Sequence, residues 1–67
     1  MEKKTLATLR AERNLTQRAL AKELNIANSS IAMYETGERL PTLKIAIEIA
    51  NYFGVSVESI SFPKLDL

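Results

Sequence analysis

The sequence predicts an all-α fold, a compact bundle of four to five helices, and three observations carry that prediction. Apolar residues recur three and four apart through successive stretches, the spacing of a helix with one buried face. Residues that start or stop helices bracket those stretches: Thr16 and Thr42 stand ahead of two of them, and Asn14, Asn25, Gly37 and Gly54 follow. Finally, 67 residues with 46% hydrophobic content suit one small domain, close to the lower size limit for a chain that buries its own core.

Taken in order, the first helix runs from Thr5 to Arg13, with Leu6 and Leu9 on one face and Asn14 able to take the left-handed conformation that ends it. Thr16 offers a side-chain oxygen to cap a second helix, whose inner stripe is Leu20, Ala21 and Leu24. Only Asn25, Ile26 and Ala27 separate it from the next helical pattern, so the connection is tight and the two short helices cross steeply. The third helix, Asn28 to Thr36, buries Ile31 and Tyr34 and stops at Gly37. Glu38 to Pro41 forms a polar loop. Thr42 then caps a fourth helix from Leu43 to Phe53, with Leu43, Ala46, Ile47, Ala50 and Phe53 as its core stripe and Gly54 as its end. Ser56 caps a last short turn through Ile60, which Pro63 prevents from extending. The chain reads as one domain over residues 1–67, with its core in 5–60 and a tail, 61–67, in which Ile60 and Phe62 alternate about Ser61 as a short strand would.

Composition excludes several function classes. With no Cys and no His, disulfides and the usual zinc sites are ruled out, and so are the common nucleophile and general-base arrangements; an enzyme is not expected, and no cofactor or small-molecule ligand is implied. No apolar run approaches the roughly 20 residues that span a bilayer, and the first fifteen residues lack a secretory signal, so a soluble cytoplasmic protein is expected. The net charge is only +1, but it is unevenly placed. Residues 1–22 hold six basic side chains (Lys3, Lys4, Arg10, Arg13, Arg18, Lys22) against two acids, a balance of +4; residues 23–67 hold three against six, a balance of −3. One end of the molecule is therefore suited to a polyanion.

The third helix adds a sharper clue. Its outward face offers Asn28, Ser29, Ala32 and Met33, short and uncharged, where an ordinary water-facing helix carries Lys and Glu. Residues 16–37, TQRALAKELNIANSSIAMYETG, together with the following "RLP" and the later "YFGVSVESI", resemble the helix-turn-helix of the phage repressor and Cro-like family of bacterial regulators, also called the xenobiotic-response-element family. The resemblance spans about Leu6 to Ile60 and implies a lambda-repressor-like bundle whose partner is double-stranded DNA. Ala21 has to be small because the second and third helices cross there. This chain departs from the family at three places: Asn25 stands where the turn is usually Gly, Ala19 where Glu often completes a capping box, and Ala27 where Ser or Thr often caps the third helix.

By that resemblance Asn28, Ser29 and Met33, with Ala32 beside them, read base edges in the major groove, about 12 Å wide: Asn pairs with adenine, Ser donates or accepts, and Met meets a thymine methyl. Alternatively Asn28 caps its own helix, and the reading set becomes Ser29, Ser30 and Met33. Gln17, at the start of the second helix, is implied to contact a phosphate, with Arg18, Arg39 and Thr42 as companions and Lys3, Lys4 and Lys22 as weaker candidates. The resemblance makes Arg10 and Glu35 an internal ion pair between the first and third helices.

The fourth helix is more apolar than one core stripe requires. Ile45, Ile49 and Tyr52 form a further stripe, which the tail SFPKLDL covers within one subunit or which joins Phe62 and Leu65 in a two-fold homodimer interface. Two functions follow from these readings. The first is a sequence-specific transcriptional regulator, a repressor on a palindromic operator; the second is a protein-binding helical module, antitoxin- or antirepressor-like, that reads no DNA.

Overall fold

The computed structural model describes residues 3–63, and they form an all-α bundle with a minor two-stranded clip. Four α-helices follow one another: α1 (Leu6–Glu12), α2 (Gln17–Leu24), α3 (Asn28–Thr36) and α4 (Leu43–Phe53). A 3-10 turn, Val57–Ser59, comes next. None of these helices is long and apolar enough to cross a membrane.

The helix ends follow local chemistry. Thr5, Thr16 and Thr42 sit in extended conformation and accept, through Oγ1, the backbone N–H groups of Thr8, Ala19 and Ile45, so three helices begin with a side-chain cap. Ala27 precedes α3 without one, and Asn28 lies inside the helix rather than taking over the cap. Asn14 (φ 56°) and Asn25 (φ 57°) take the left-handed conformation, and Gly37 and Gly54 do the same at the ends of α3 and α4. At Asn25 the turn closes through its own N–H to the Ala21 and Lys22 carbonyls and through the Ile26 N–H to the Ala21 carbonyl. Asn tolerates that geometry without Gly's entropic cost in the unfolded chain, which is why a three-residue connection forms here.

The core gathers Leu6 and Leu9 from α1, Leu20 and Ala21 from α2, Ile31 and Tyr34 from α3, and Ala46, Ile49, Ala50 and Phe53 from α4, closed by Ile60 and Phe62. Two parts of the sequence reading need correction. Leu43 and Ile47, expected in the α4 core stripe, are 71% and 41% exposed, whereas Ile49 is fully buried. The buried arc is therefore turned by roughly an eighth of the helix circumference from the expected one, at about 100° per residue. Eight of the eleven α4 residues are apolar, so periodicity alone leaves the inward arc undetermined. The same shift removes most of the expected dimer face. Ile49 and Phe62 lie inside their own subunit's core, and Ile45 and Tyr52 are half-buried against it. Leu65 lies outside the described residues.

After the 3-10 turn, β2 (Ile60–Ser61) pairs in parallel with β1 (Lys4–Thr5), Lys4 opposite Ile60 and Thr5 opposite Ser61. The short strand suggested at Ile60 thus exists, while its partner was not evident: Lys4 and Thr5 are both exposed and carry no apolar alternation. The clip ties the start of α1 to the segment that delivers Ile60 and Phe62 to the core.

Arg13 makes a further tie that sequence reasoning missed. Its guanidinium donates to the Tyr52 and Phe53 carbonyls at 3.1 and 3.0 Å and lies 5.6 and 5.1 Å from the centres of their rings. A cation at the C-terminal end of α4 satisfies free carbonyls and the negative end of the helix dipole together. Arg13→Ala is expected to cost about 1 kcal/mol, combining charged hydrogen bonds at a largely exposed site with a weak cation–π contact. Urea unfolding with an unchanged m-value and a lower midpoint checks it; an unchanged midpoint refutes it.

Candidate nucleic-acid interface

Helix α3 divides cleanly into two faces. Ile31 is fully buried and Tyr34 is 6% exposed, and together they fix the rotation of the helix against the core. About 180° away, Asn28 and Ser29 are exposed and Ala32 and Met33 half-buried, so the four expected reading residues share one outward arc. Thr36 lies on that same arc and was not singled out from sequence; its hydroxyl donates to the Met33 carbonyl at 3.3 Å. The side chains of Asn28 and Ser29 make no hydrogen bond among the described residues, which leaves their donors and acceptors available.

The only acid on α3, Glu35, is turned inward and neutralised. Arg10 Nε donates to Glu35 Oε2 at 2.6 Å and a terminal guanidinium nitrogen donates to Oε1 at 3.0 Å, a forked pair between α1 and α3. The other terminal nitrogen of Arg10 donates to the Leu15 carbonyl at 2.8 Å. Both side chains are largely buried, 17% exposed for Arg10 and 10% for Glu35. Burial alone would push the Glu35 carboxyl upward; the hydrogen bonds from Arg10 and Gln17 and the Arg10 charge outweigh it and hold the carboxyl below its ordinary value. The bond from Glu35 holds the Arg10 guanidinium above its ordinary value, against the opposing effect of its own desolvation.

Gln17 is the unexpected member of this group. Half-buried at the first residue of α2, it donates through Nε2 to Glu35 Oε1 at 3.0 Å. One amide hydrogen expected to face a phosphate is thus committed inside the protein; the second hydrogen and Oε1 are not. Arg10, Gln17 and Glu35 thereby join α1, α2 and α3 through one carboxylate. Sequence spacing gave no signal for this bond, because residues 17 and 35 belong to different helices.

The expected phosphate-contacting residues are placed as follows. Arg18 and Lys22 are exposed on α2, and neither forms an ion pair or hydrogen bond within residues 3–63. Arg39 is exposed in the loop after α3, its backbone N–H tied to the Met33 carbonyl at 3.3 Å, and its guanidinium is likewise unspent. Thr42 uses its hydroxyl oxygen to cap α4. Lys4 is paired with Glu12 at 2.7 Å, both about half exposed, and Lys3 is exposed on the same strand-bearing end.

A tight turn between α2 and α3, a rigidly backed second helix, and an outward face free of acid define a helix-turn-helix DNA-binding domain. The helix-turn-helix family profile matches residues 6–60. An uncharacterized HTH-type transcriptional regulator of Methanocaldococcus jannaschii is 45% identical over 58 residues, covering 87% of this chain and 88% of that protein. A second uncharacterized HTH-type transcriptional regulator, from Archaeoglobus fulgidus, is 39% identical over 51 residues, 76% of this chain and 72% of its own length. The cryptic phage CTXphi transcriptional repressor RstR of Vibrio cholerae is 36% identical over 58 residues, 87% of this chain and 52% of RstR. No solved structure matches the chain. This chain belongs to the helix-turn-helix family of the Cro/C1 type, a family of transcriptional regulators rather than an enzyme class.

Proposed function

We propose that this regulator is a repressor that binds a palindromic operator as a homodimer, with α3 of each subunit in the major groove. The observation that carries the reading is the outward arc of α3: short, uncharged, with the Asn28 and Ser29 side chains unbonded and the one acid of the helix folded away. In this reading Asn28 and Ser29 hydrogen-bond base edges, Met33 meets a thymine methyl, and Ala32 is small enough for close approach of the helix backbone. Arg18 and Arg39, both unspent, hold phosphates on either side, with Gln17 and Thr42 contributing through the hydrogens that their internal bonds leave over. The likeness to a protein named as a transcriptional repressor supports repression over activation.

Selection of bound duplexes from a random pool, followed by affinity measurements across salt concentrations, tests the proposal. A winning sequence with two inverted half-sites about 34 Å apart, one helical turn, is the expected result. Arg18→Ala and Arg39→Ala should each lower the salt slope of the dimer by about 1.8, one phosphate contact per subunit at about 0.9 each, while weakening selected and scrambled duplexes alike. Failure of every duplex to bind in dilute buffer would sink the reading.

A further inference from the structure

Three donors converge on one carbonyl at the end of α3. The Met33 carbonyl oxygen accepts the Gly37 N–H at 3.0 Å, the Arg39 N–H at 3.3 Å and the Thr36 hydroxyl at 3.3 Å. The Thr36 hydroxyl oxygen in turn accepts the Glu38 N–H at 3.4 Å, so Thr36 is a strut between the last turn of the helix and the loop beyond it. A hydroxyl has one hydrogen, and this one is spent on Met33; Thr36 therefore lies on the outward arc with no donor left for a base edge. What those bonds fix is the loop. Gly37 leaves the helix in the left-handed conformation (φ 87°), and two exposed residues of opposite charge follow, Glu38 and Arg39. Gly37 alone would let the chain turn either way, presenting the acid as readily as the cation. Pinning the Glu38 and Arg39 amides to Thr36 and Met33 selects one arrangement.

We infer that Thr36 is a positioning residue for DNA binding: its hydroxyl holds the 37–39 loop so that the Arg39 guanidinium meets a phosphate while α3 reads the bases. The inference rests on the DNA-binding reading above and deepens it, since the one carbonyl of Met33 joins a base-reading residue to the phosphate-gripping loop. The Arg39 guanidinium has no partner among the described residues, so the anchoring of its backbone is what sets where the side chain starts. The bonds at 3.3, 3.3 and 3.4 Å are longer than the roughly 2.9 Å of a typical protein hydrogen bond, so each adds little to stability and their effect lies in placing the loop.

Thr36→Val replaces the hydroxyl by a methyl group, and Thr36→Ser keeps the hydroxyl. Affinities for the selected and a scrambled duplex across salt concentrations, with amide hydrogen exchange of the free protein, form the test. Thr36→Val should weaken both duplexes alike and lower the salt slope of the dimer toward the loss of about 1.8 expected for Arg39→Ala. The double variant Thr36→Val/Arg39→Ala should bind within about twofold of Arg39→Ala alone, because the strut acts only through the arginine. Thr36→Ser should restore both affinity and slope. The Glu38 and Arg39 amides should exchange faster in Thr36→Val and at the wild-type rate in Thr36→Ser, with the melting temperature of both variants within a few degrees of the wild type. Loss confined to the selected duplex would make Thr36 a base reader, additive losses in the double variant would give its hydroxyl a DNA contact of its own, and an unchanged salt slope would leave it a role in the fold alone; each overturns the inference while the DNA reading stands. A wild type that binds no duplex sinks the DNA reading and the strut's part in binding together; the exchange rates of the two amides then tell a strut with no phosphate to serve from a strut that does not exist.

Discussion

Replacing Asn28 by alanine should lower affinity about 5- to 150-fold for each half-site of the selected operator, the range of the 1–3 kcal/mol that a well-placed base contact supplies. Ser29→Ala, losing one hydroxyl, belongs at the lower end. Both positions are exposed, so the melting temperature should stay within a few degrees of the wild type. Fluorescence anisotropy with the selected duplex and a scrambled one, at a single salt concentration, distinguishes the possible results. Loss confined to the selected duplex establishes Asn28 and Ser29 as base readers. Equal loss on both would make them backbone contacts, and no loss on either would turn attention to the protein-binding alternative, in which this arc has no role.

Glu35→Ala should destabilise the fold by about 3 kcal/mol, the low end for breaking a buried ion pair, because the guanidinium of Arg10 is left largely buried without its carboxylate. A domain of this size has a total stability of about 3–10 kcal/mol at 0.05–0.15 kcal/mol per residue. The melting temperature should therefore fall by roughly 12–24 °C, and the variant will be partly unfolded near 37 °C if the parent stands at the lower end. Gln17 loses its acceptor in the same substitution. Glu35→Gln keeps an acceptor without the charge and should lose less. The pH dependence has a definite sign. Since the folded protein holds the Glu35 carboxyl below its ordinary 4.5, its stabilising contribution is complete above that value and disappears as pH falls through the lower, folded value. The stability gap between wild type and Glu35→Gln should accordingly be widest near neutral pH and close on acidification below about 4.5. A gap independent of pH would mean that the pair contributes through packing rather than charge.

The order and ends of the helices were legible in the sequence because their determinants act within a few residues. A Thr hydroxyl reaches the N–H three residues on, and Asn25, Gly37 and Gly54 take a backbone conformation that their neighbours would resist. The same locality made the outward arc of α3 readable: with only Ile31 and Tyr34 strongly apolar on its inner side, one rotation of the helix satisfies the core.

Where a residue's surroundings come from distant parts of the chain, local pattern stopped being informative. Helix α4 is apolar on most of its circumference, so it was α1, α2 and the returning Ile60 and Phe62 that selected Ala46, Ile49, Ala50 and Phe53 as its inner arc and left Leu43 and Ile47 in water. Gln17 reads as a surface residue until α3 places Glu35 beside it, and Arg13 until the last turn of α4 arrives beneath its guanidinium. The amino-acid order by itself determined the four helices and the Thr16 and Thr42 caps, which are consequences of contacts within one turn, and the spacing of those signals carried the helix-turn-helix family. Only the tertiary structure decided which apolar face was buried and which was left exposed, because burial is settled by what packs against a helix, and those groups come from distant parts of the chain.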